Sequence, residues 1–330
     1  MRLRGLWGVL VFLVLAGLLT LVSSQNDPPS LPSGPLVVGT NLWPGYEPLY
    51  LARAERFFSP QQVRLAEYAS VNQSSRALRN GLIDAAALTL DEALLLLQSG
   101  LPVTVVLVMD ISDGGDALLA RPPAKTLVDL KGKVIAPEDN VLGRFMLARA
   151  LTLYGLKADQ FQYQKIPVNG HLEAYRNQKI DGAITFEPVR SQLIAEGARP
   201  VFDSRQIPGE ILDVLVVHNS LVESQDPRVQ ALVDGWFLAL DRMEKQPIQA
   251  ARILAQRLKL SPEQVLSSYQ GMRLPPNEEV TIMLEPDKGS LRQTMTRLAQ
   301  LLKDQGLLTQ MPDLNDAISQ YFVERARNTP

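Results

Sequence analysis

The chain has 330 residues, 46% hydrophobic and 21% charged, a size and balance that suit two globular lobes, each with its own core. A net charge of -2 gives no ground for a nucleic-acid surface. The absence of cysteine excludes disulfides, thiolate metal sites, a cysteine nucleophile and a lipidated-cysteine anchor.

The N-terminus reads as an export signal. "MRLR" carries two positive charges, and Leu6 to Val22 form an uninterrupted apolar run with only Trp, Gly and Thr as departures. Val22 and Ser24 then stand before a cut at Gln25, so residues 1–24 are expected to be a signal peptide. The run is long for a signal core and short for a membrane span; cleavage is the expectation and a retained N-terminal anchor the alternative. Either outcome exports the rest, which in a bacterium means the periplasm. "NDPPSLPSGP" is Pro/Ser-rich without periodicity and predicts a flexible tether over residues 25–35.

Short apolar strands then alternate with helical patterns, the mark of an α/β fold. "LVVG" is a strand, and Pro48 sits where a first helical turn tolerates proline. "VRLAEYA" is the next strand, followed by a helix through "SSRALRN" that stops at Gly81. "LIDAAAL" is a strand, and "DEALLLLQSG" a helix closed by Gly100. "VTVVLVM" is a continuous apolar run suited to a strand buried on both faces. The rhythm restarts with strands "DALLAR" and "KVIAP" around the turn "DLKGK", then the helix "LGRFMLARALTLYG" and the strand "FQYQKIP". "HLEAYRNQ" is helical, "IDGAITF" a strand, "VRSQLIAEGA" a helix, and "RPVFD" and "ILDVLVVH" are strands. Beyond them nearly everything is helical, with apolar residues at three- and four-residue spacing in "VQALVDGWFLALDRM" and "LRQTMTRLAQLLKDQGLL".

Catalytic motifs fail. There is no G-x-S-x-G, no phosphate-binding G-x-x-x-x-G-K-[ST] and no G-x-G-x-x-G after a strand. His171 and His218 stand in unrelated contexts and are expected to be structural. No metal site and no cofactor are expected. What remains gathers at the C-terminal ends of the strands, where open α/β sheets bind ligands. Asn41, Trp43, Tyr46 and Glu47 follow the first strand; Asn72, Gln73 and Ser74 the second; Thr89 and Asp91 the third. "ISDGGD" supplies Ser112, Asp113 and Asp116, "APEDNVLGR" supplies Asn140 and Arg144, and "ITFEP" supplies Glu187. Asp91 serves equally as a helix cap, "SDGGD" as a crossover turn, and Arg144 as a solvated helix residue. Trp43 and Tyr46 on a polar turn fit an aromatic wall best.

"GTNLWPGYEPLYLARAERFF", "TLDEALLLLQSGLPVTVVLVMDISDGGDALLAR", "DLKGKVIAPEDNVLGRFMLARALTLYGL" and "DGAITFEPVRSQLIAEGARPVFDSRQIPGEILDVLVV" occur in the right order behind the export signal. Together, over roughly residues 36–245, they resemble the nitrate/sulfonate/taurine family of periplasmic solute-binding proteins that serve ABC importers. The resemblance implies a two-lobed periplasmic binding protein fold of type II. Each lobe would be a mostly parallel sheet flanked by helices, with a helical C-terminal tail. It places crossings near Ile111–Asp116 and near Asp213, so that residues 36–114 and 212–330 form one lobe and 115–211 the other. It also implies a monomer that takes a small-molecule ligand and docks on an ABC permease, with no enzymatic activity. The implied contacts are Trp43, Tyr46, the "VNQS" loop, Thr89, the "SDGGD" crossover, the "EDNVLG" helix start and Glu187. One departure stands out. Sulfonate-type members often carry small hydroxyl residues where this chain has Asn140-Val141-Leu142, which weakens the expectation of an oxyanion grip at that helix start.

Charge sharpens the ligand. Glu47, Asp91, Asp113, Asp116, Glu187 and Asp213 face Arg144 as the obvious nearby cation. Acids around aromatic rings predict an amine, amidine or aminosulfonate-like zwitterion in place of a bare anion. Two alternatives of other classes stand beside the transport receptor: a membrane-tethered sensor, and an enzyme related to the pyrimidine-precursor synthases of the same superfold.

Overall fold

The computed structural model describes residues 34–286 and 288–326. The expected signal peptide or anchor, and all but the last two residues of the expected tether, lie outside the described residues.

The first half follows the apolar runs. β1 (Leu36–Thr40) leads through a 3-10 turn (Pro44–Tyr46) into α1 (Glu47–Ala54), with Pro48 in its first turn. β2 (Val63–Glu67), α2 (Val71–Arg79), β3 (Ala85–Thr89), α3 (Leu90–Gln98) and the long β4 (Val103–Ser112) follow. Gly81 and Gly100 take φ of +66° and +78°, the left-handed conformation that ends a helix at little cost when no Cβ is present. The chain then passes through Asp113–Asp116 into a second sheet: β5 (Ala117–Ala120), β6 (Val134–Ala136), α4 (Val141–Leu153), β7 (Gln162–Tyr163), α5 (Val168–Arg176), β8 (Gly182–Thr185), α6 (Val189–Ala195) and β9 (Arg199–Asp203). β10 (Leu212–His218) returns to the first sheet. The tail holds α7 (Asn219–Glu223), α8 (Pro227–Lys245), α9 (Pro247–Leu258), α10 (Pro262–Ser268), the two-residue β11 (Met272–Arg273), α11 (Asn277–Met283), α12 (Ser290–Asp304) and α13 (Tyr321–Arg325). Proline in the first turn starts α8, α9 and α10, where its fixed φ suits the helix and its missing N–H costs nothing.

The strand orders are β11-β4-β10-β3-β1-β2 and β7-β6-β8-β5-β9. Two sheets flanked by helices are what the resemblance implied, but each sheet is mixed and not mostly parallel. β1 pairs parallel with β2 and β3, whereas β10 runs antiparallel to both β3 and β4. In the second sheet β6 is parallel to β7 and β8, and β5 is antiparallel to β8 and β9. The reason is topological. The strand that carries the chain out of a lobe and the strand that brings it back run in opposite directions. The strand expected over "FQYQKIP" shrinks to Gln162–Tyr163, because it is an exposed edge and Pro167 begins the turn into α5.

β3, β4 and β10 are buried along nearly their whole length, so the centre of the first sheet is covered on both faces. α1 packs on α8 and α9, and Trp236 of α8 is wholly buried there. The helical tail therefore completes the first lobe's core and leaves the strand ends free to build a site.

Candidate ligand cleft

The C-terminal ends of β1, β3 and β6, with residues beside the crossovers, enclose a chamber of about 30 Å³ between the two sheets. Asn41, Trp43, Tyr46, Thr89 and Asp213 reach it from the first lobe; Asp116, Glu138, Asn140 and Phe186 reach it from the second. An outer cavity of about 200 Å³ shares Asn41, Val71, Glu138, Asn140 and Phe186 with it, so the two form one cleft with a narrow interior and a wider mouth. At the mouth Asn72 Nδ2 donates to the Asp139 carbonyl at 2.8 Å, and deeper in the Val141 N–H donates to Glu92 Oε1 at 3.4 Å. Both bonds join one lobe directly to the other.

The turn after β1 is built around its aromatics. Tyr46 N–H donates to the Trp43 carbonyl at 3.0 Å, and Tyr269 OH donates to the Pro44 carbonyl at 2.9 Å, which pins the turn to the tail. Gly45 is required: a Cβ there would run into Asp110 Oδ2 and the indole nitrogen of Trp43. Trp43 Nε1 donates to Asp110 Oδ2 at 3.0 Å, and Tyr46 OH donates to Asp213 Oδ1. Across the cleft the Phe186 ring meets Trp43 edge-on, with centroids 5.6 Å apart. Trp43 and Tyr46 are thus both buried and cleft-lining. A polar turn can bury two large rings because acids at the sheet's end accept their N–H and O–H.

Those acids set the electrostatics. Asp110, Asp116 and Asp213 are buried, and none has a Lys or Arg within ion-pair distance among the described residues. Loss of water pushes all three carboxyls up, Asp116 to about 6, with Arg190 opposing and Glu187 reinforcing the rise. Half-buried Glu138 is raised well above its ordinary value by desolvation and by Asp116, Glu92 and Asp91. Asp91 and Glu92 lie behind Thr89, and desolvation raises both. Among the described residues no group of three or more His, Asp or Glu side chains is arranged to hold a metal ion.

Other sequence-expected contacts fall elsewhere. Glu47 is fully buried but faces the tail, where Arg257 Nε lies 2.8 and 3.0 Å from its two oxygens and stacks 3.4 Å over the Tyr50 ring. Desolvation still pushes Glu47 up to about 7 against that guanidinium. Glu187 turns back on its own helix: Arg190 Nη1, Ser191 N–H and Ser191 Oγ all donate to it at 2.9 to 3.1 Å. Ser112 Oγ pairs with Ser204 Oγ at 2.8 Å and knits the two crossings together. Asp113 is exposed beside Arg205, and Arg144 is exposed on α4, outside the cleft lining. Asn140 lines the cleft and caps α4, its Oδ1 accepting from Gly143 N–H at 2.8 Å. Asn72 lines only the mouth.

Asp110, Glu138 and Phe186 were missed. Asp110 closes the apolar run of β4 and passes for a strand boundary; Glu138 and Phe186 stand beside residues that were named, in "APEDN" and "ITFEP". His171 is buried in a backbone role. Its Nε2 lies 3.0 Å from the Ile166 carbonyl, and burial lowers the ring to about 4.

The first crossing is clamped by the tail. The N–H groups of Asp113 and Gly115 both donate to the Gly271 carbonyl, at 2.8 and 2.7 Å. A Cβ at Gly115 would come within 2.9 Å of Trp43 Cη2 and 2.8 Å of the Gly271 oxygen. The first crossover, the aromatic turn and the tail are therefore one packed unit.

With this geometry the family can be stated, because residues 30–259 match the model of the NMT1-like family. The chain belongs to the NMT1-like family. Among solved structures it is similar to the periplasmic aliphatic sulphonate binding protein SsuA of Escherichia coli, at 18% identity and TM-score 0.71, over 88% of this chain and 93% of that one. It is also similar to the alkanesulfonate-binding SsuA of Xanthomonas axonopodis pv. citri bound to MOPS, at 19% identity and TM-score 0.68, over 84% and 95%. The desulfurization enzyme DSZB shares the fold too, at 17% identity and TM-score 0.65, over 88% and 98%. No curated protein matches. The family match and these neighbours bear out the resemblance to nitrate/sulfonate/taurine solute-binding proteins, and at such identities the neighbours speak for the fold alone.

Proposed function

We propose that the chain is an exported, periplasmic solute receptor that closes two lobes on a small amine or zwitterion and delivers it to an ABC importer. One observation carries the reading: aromatic and carboxylate side chains from both lobes converge on a single chamber beside the strands that connect the lobes. Such a chamber holds its ligand only when both lobes contact it, which makes closure a report of loading. The acids select the ligand's charge, since an anion would meet buried carboxyls with no ion-paired cation among the described residues. A histidine-centred enzyme of the same superfold finds no support from His171, which is held by backbone and does not line the chamber.

A thermal-shift panel of taurine, alkylsulfonates, nitrate, alkylammonium and amidinium compounds and pyrimidine precursors tests this. A binder raises the melting temperature by mass action, with RT ln(1 + [L]/Kd) setting the scale. The expected result is a shift with an amine or zwitterion that Trp43→Ala abolishes. A shift with nitrate or a simple alkylsulfonate alone sinks the charge reading, and no shift with any solute sinks the receptor.

A further inference from the structure

Asp110 of β4 and Asp213 of β10 are partners in the antiparallel ladder, so the two carboxylates rise side by side from one face of the sheet. Each has a neutral donor, Trp43 Nε1 for Asp110 and Tyr46 OH for Asp213. The titratable groups facing the pair are Tyr46 from the 3-10 turn, Tyr269 from the segment before β11 and Asp116 from the crossover. Arg190, whose charge is felt at Asp116, is held by Glu187 at 3.0 Å. Two neighbouring carboxylates in such a site do not both ionise; one proton between them removes the repulsion.

An independent feature points to a ligand. Asn41 lines both the chamber and the mouth and is only 9% exposed, and its Oδ1 has no hydrogen-bond partner among the described residues. A buried acceptor left without a donor is costly, so whatever fills the chamber is selected for an N–H or O–H.

We propose that the chamber takes a primary ammonium or amidinium group, and that its entry expels the proton shared by Asp110 and Asp213. The inference rests on the receptor reading and specifies its ligand. The cation's N–H groups meet Asn41, Asp116 and Asp213, all of which line the chamber. The charges balance. The protonated pair carries one negative charge and the ionised pair two; the ligand's positive charge matches the added unit while the proton leaves to solvent. A quaternary ammonium brings charge without N–H groups, leaves Asn41 unsatisfied and is excluded. Affinity for the cation therefore rises with pH until the pair ionises unaided.

Infrared difference spectroscopy of the full chain at neutral pH tests the exchange, with ethylammonium and tetramethylammonium as probes and Asp110→Asn and Asp213→Asn as variants. The expected result is a protonated-carboxyl band that either replacement removes and ethylammonium discharges, while tetramethylammonium leaves it unchanged. Calorimetry of the wild type with ethylammonium in phosphate and in triethanolamine, a tertiary amine with no primary ammonium group, should differ by the difference between the two buffers' ionisation heats for about one proton. A band that survives in one of the two variants assigns the proton to a single acid and overturns the sharing. Ethylammonium that raises the melting temperature while the band stands overturns the exchange and leaves the receptor intact. No response to ethylammonium overturns the ammonium subsite, whereas the receptor reading falls only if the whole solute panel is silent.

Discussion

Two sets of buried acids sit a few residues apart and differ in their partners. Glu47 and Glu187 each find an arginine, Arg257 and Arg190, at 2.8 and 3.0 Å. Asp110, Asp116 and Asp213 find an indole, the Ser112 hydroxyl and a phenol, and no ion-paired cation among the described residues. The first set ties elements together; the second lies at or beside the chamber, where burial favours the protonated form. The first set is glutamate and the second aspartate, but what separates them in the fold is the arginine partner that only the first set has.

Breaking a pair in the first set should have the largest effect. Arg257→Ala strands Glu47, whose carboxylate has no surface exposure, and also frees Glu67 and the Tyr50 ring. The expected loss is roughly 3 kcal/mol, the scale of a broken buried pair. Urea unfolding reads it, and a loss under about 0.5 kcal/mol, the ordinary surface range, would mean that Glu47 simply takes up a proton.

Removing a charge from the second set should have the opposite sign. Asp116→Asn deletes a carboxyl that burial has already pushed up to about 6, so the ligand-free protein should gain about 1 to 3 kcal/mol near neutral pH. Its affinity for a cationic solute should fall at the same time. A variant that is less stable and binds as before would place Asp116 with Glu47, among the structural acids.

The same contrast predicts an unusual pH profile. A buried acid with a raised pKa holds its proton longer folded than unfolded, so its contribution is present at low pH and is lost as pH rises through the window between the two values. Asp116 at about 6 and Glu47 at about 7 place that window between about pH 4 and pH 7. Asp110, Asp213 and Glu138 shift in the same direction. His171 opposes them, since a ring lowered to about 4 costs stability as pH falls below about 6.5, but it is one group against several. Stability should therefore rise on acidification from about pH 7 to pH 5, by up to about 1.4 kcal/mol per pH unit for each acid, and the melting temperature with it. A steady fall over that range would show the acids to be ionised in the folded state.

The alternation of strands and helices was legible because each apolar run ends at a residue with its own local reason, as Gly81 and Gly100 show with their positive φ. Trp43 and Tyr46 were legible because large rings on a Pro/Gly turn have few other uses. Strand direction was not, since β10 pairs antiparallel with strands more than a hundred residues before it. The sorting of acids was hidden for the same reason: Arg257 lies 210 positions from Glu47, and no local pattern announces it. Asp110 was hidden by its own neighbours, because a charge at the end of "VTVVLVM" looks like the place where burial stops. In fact Asp110 is as fully buried as the apolar residues before it, and Trp43 supplies the donor.

The smallest effects belong to the charges that the strand-end rule placed in the cleft and the fold did not. Asp113 is exposed, 3.8 Å from Arg205, and Arg144 is exposed on α4. Exposed ion pairs contribute little, and neither side chain lines the chamber. Asp113→Ala and Arg144→Ala should each change stability by less than about 0.5 kcal/mol and leave solute affinity unchanged. Arg144 is the sharper test, because its charge reaches Glu92 behind the chamber wall. A clear gain in cation affinity on removing Arg144 would show that the site's potential is set by the whole acidic belt and not by Asp110, Asp116 and Asp213 alone.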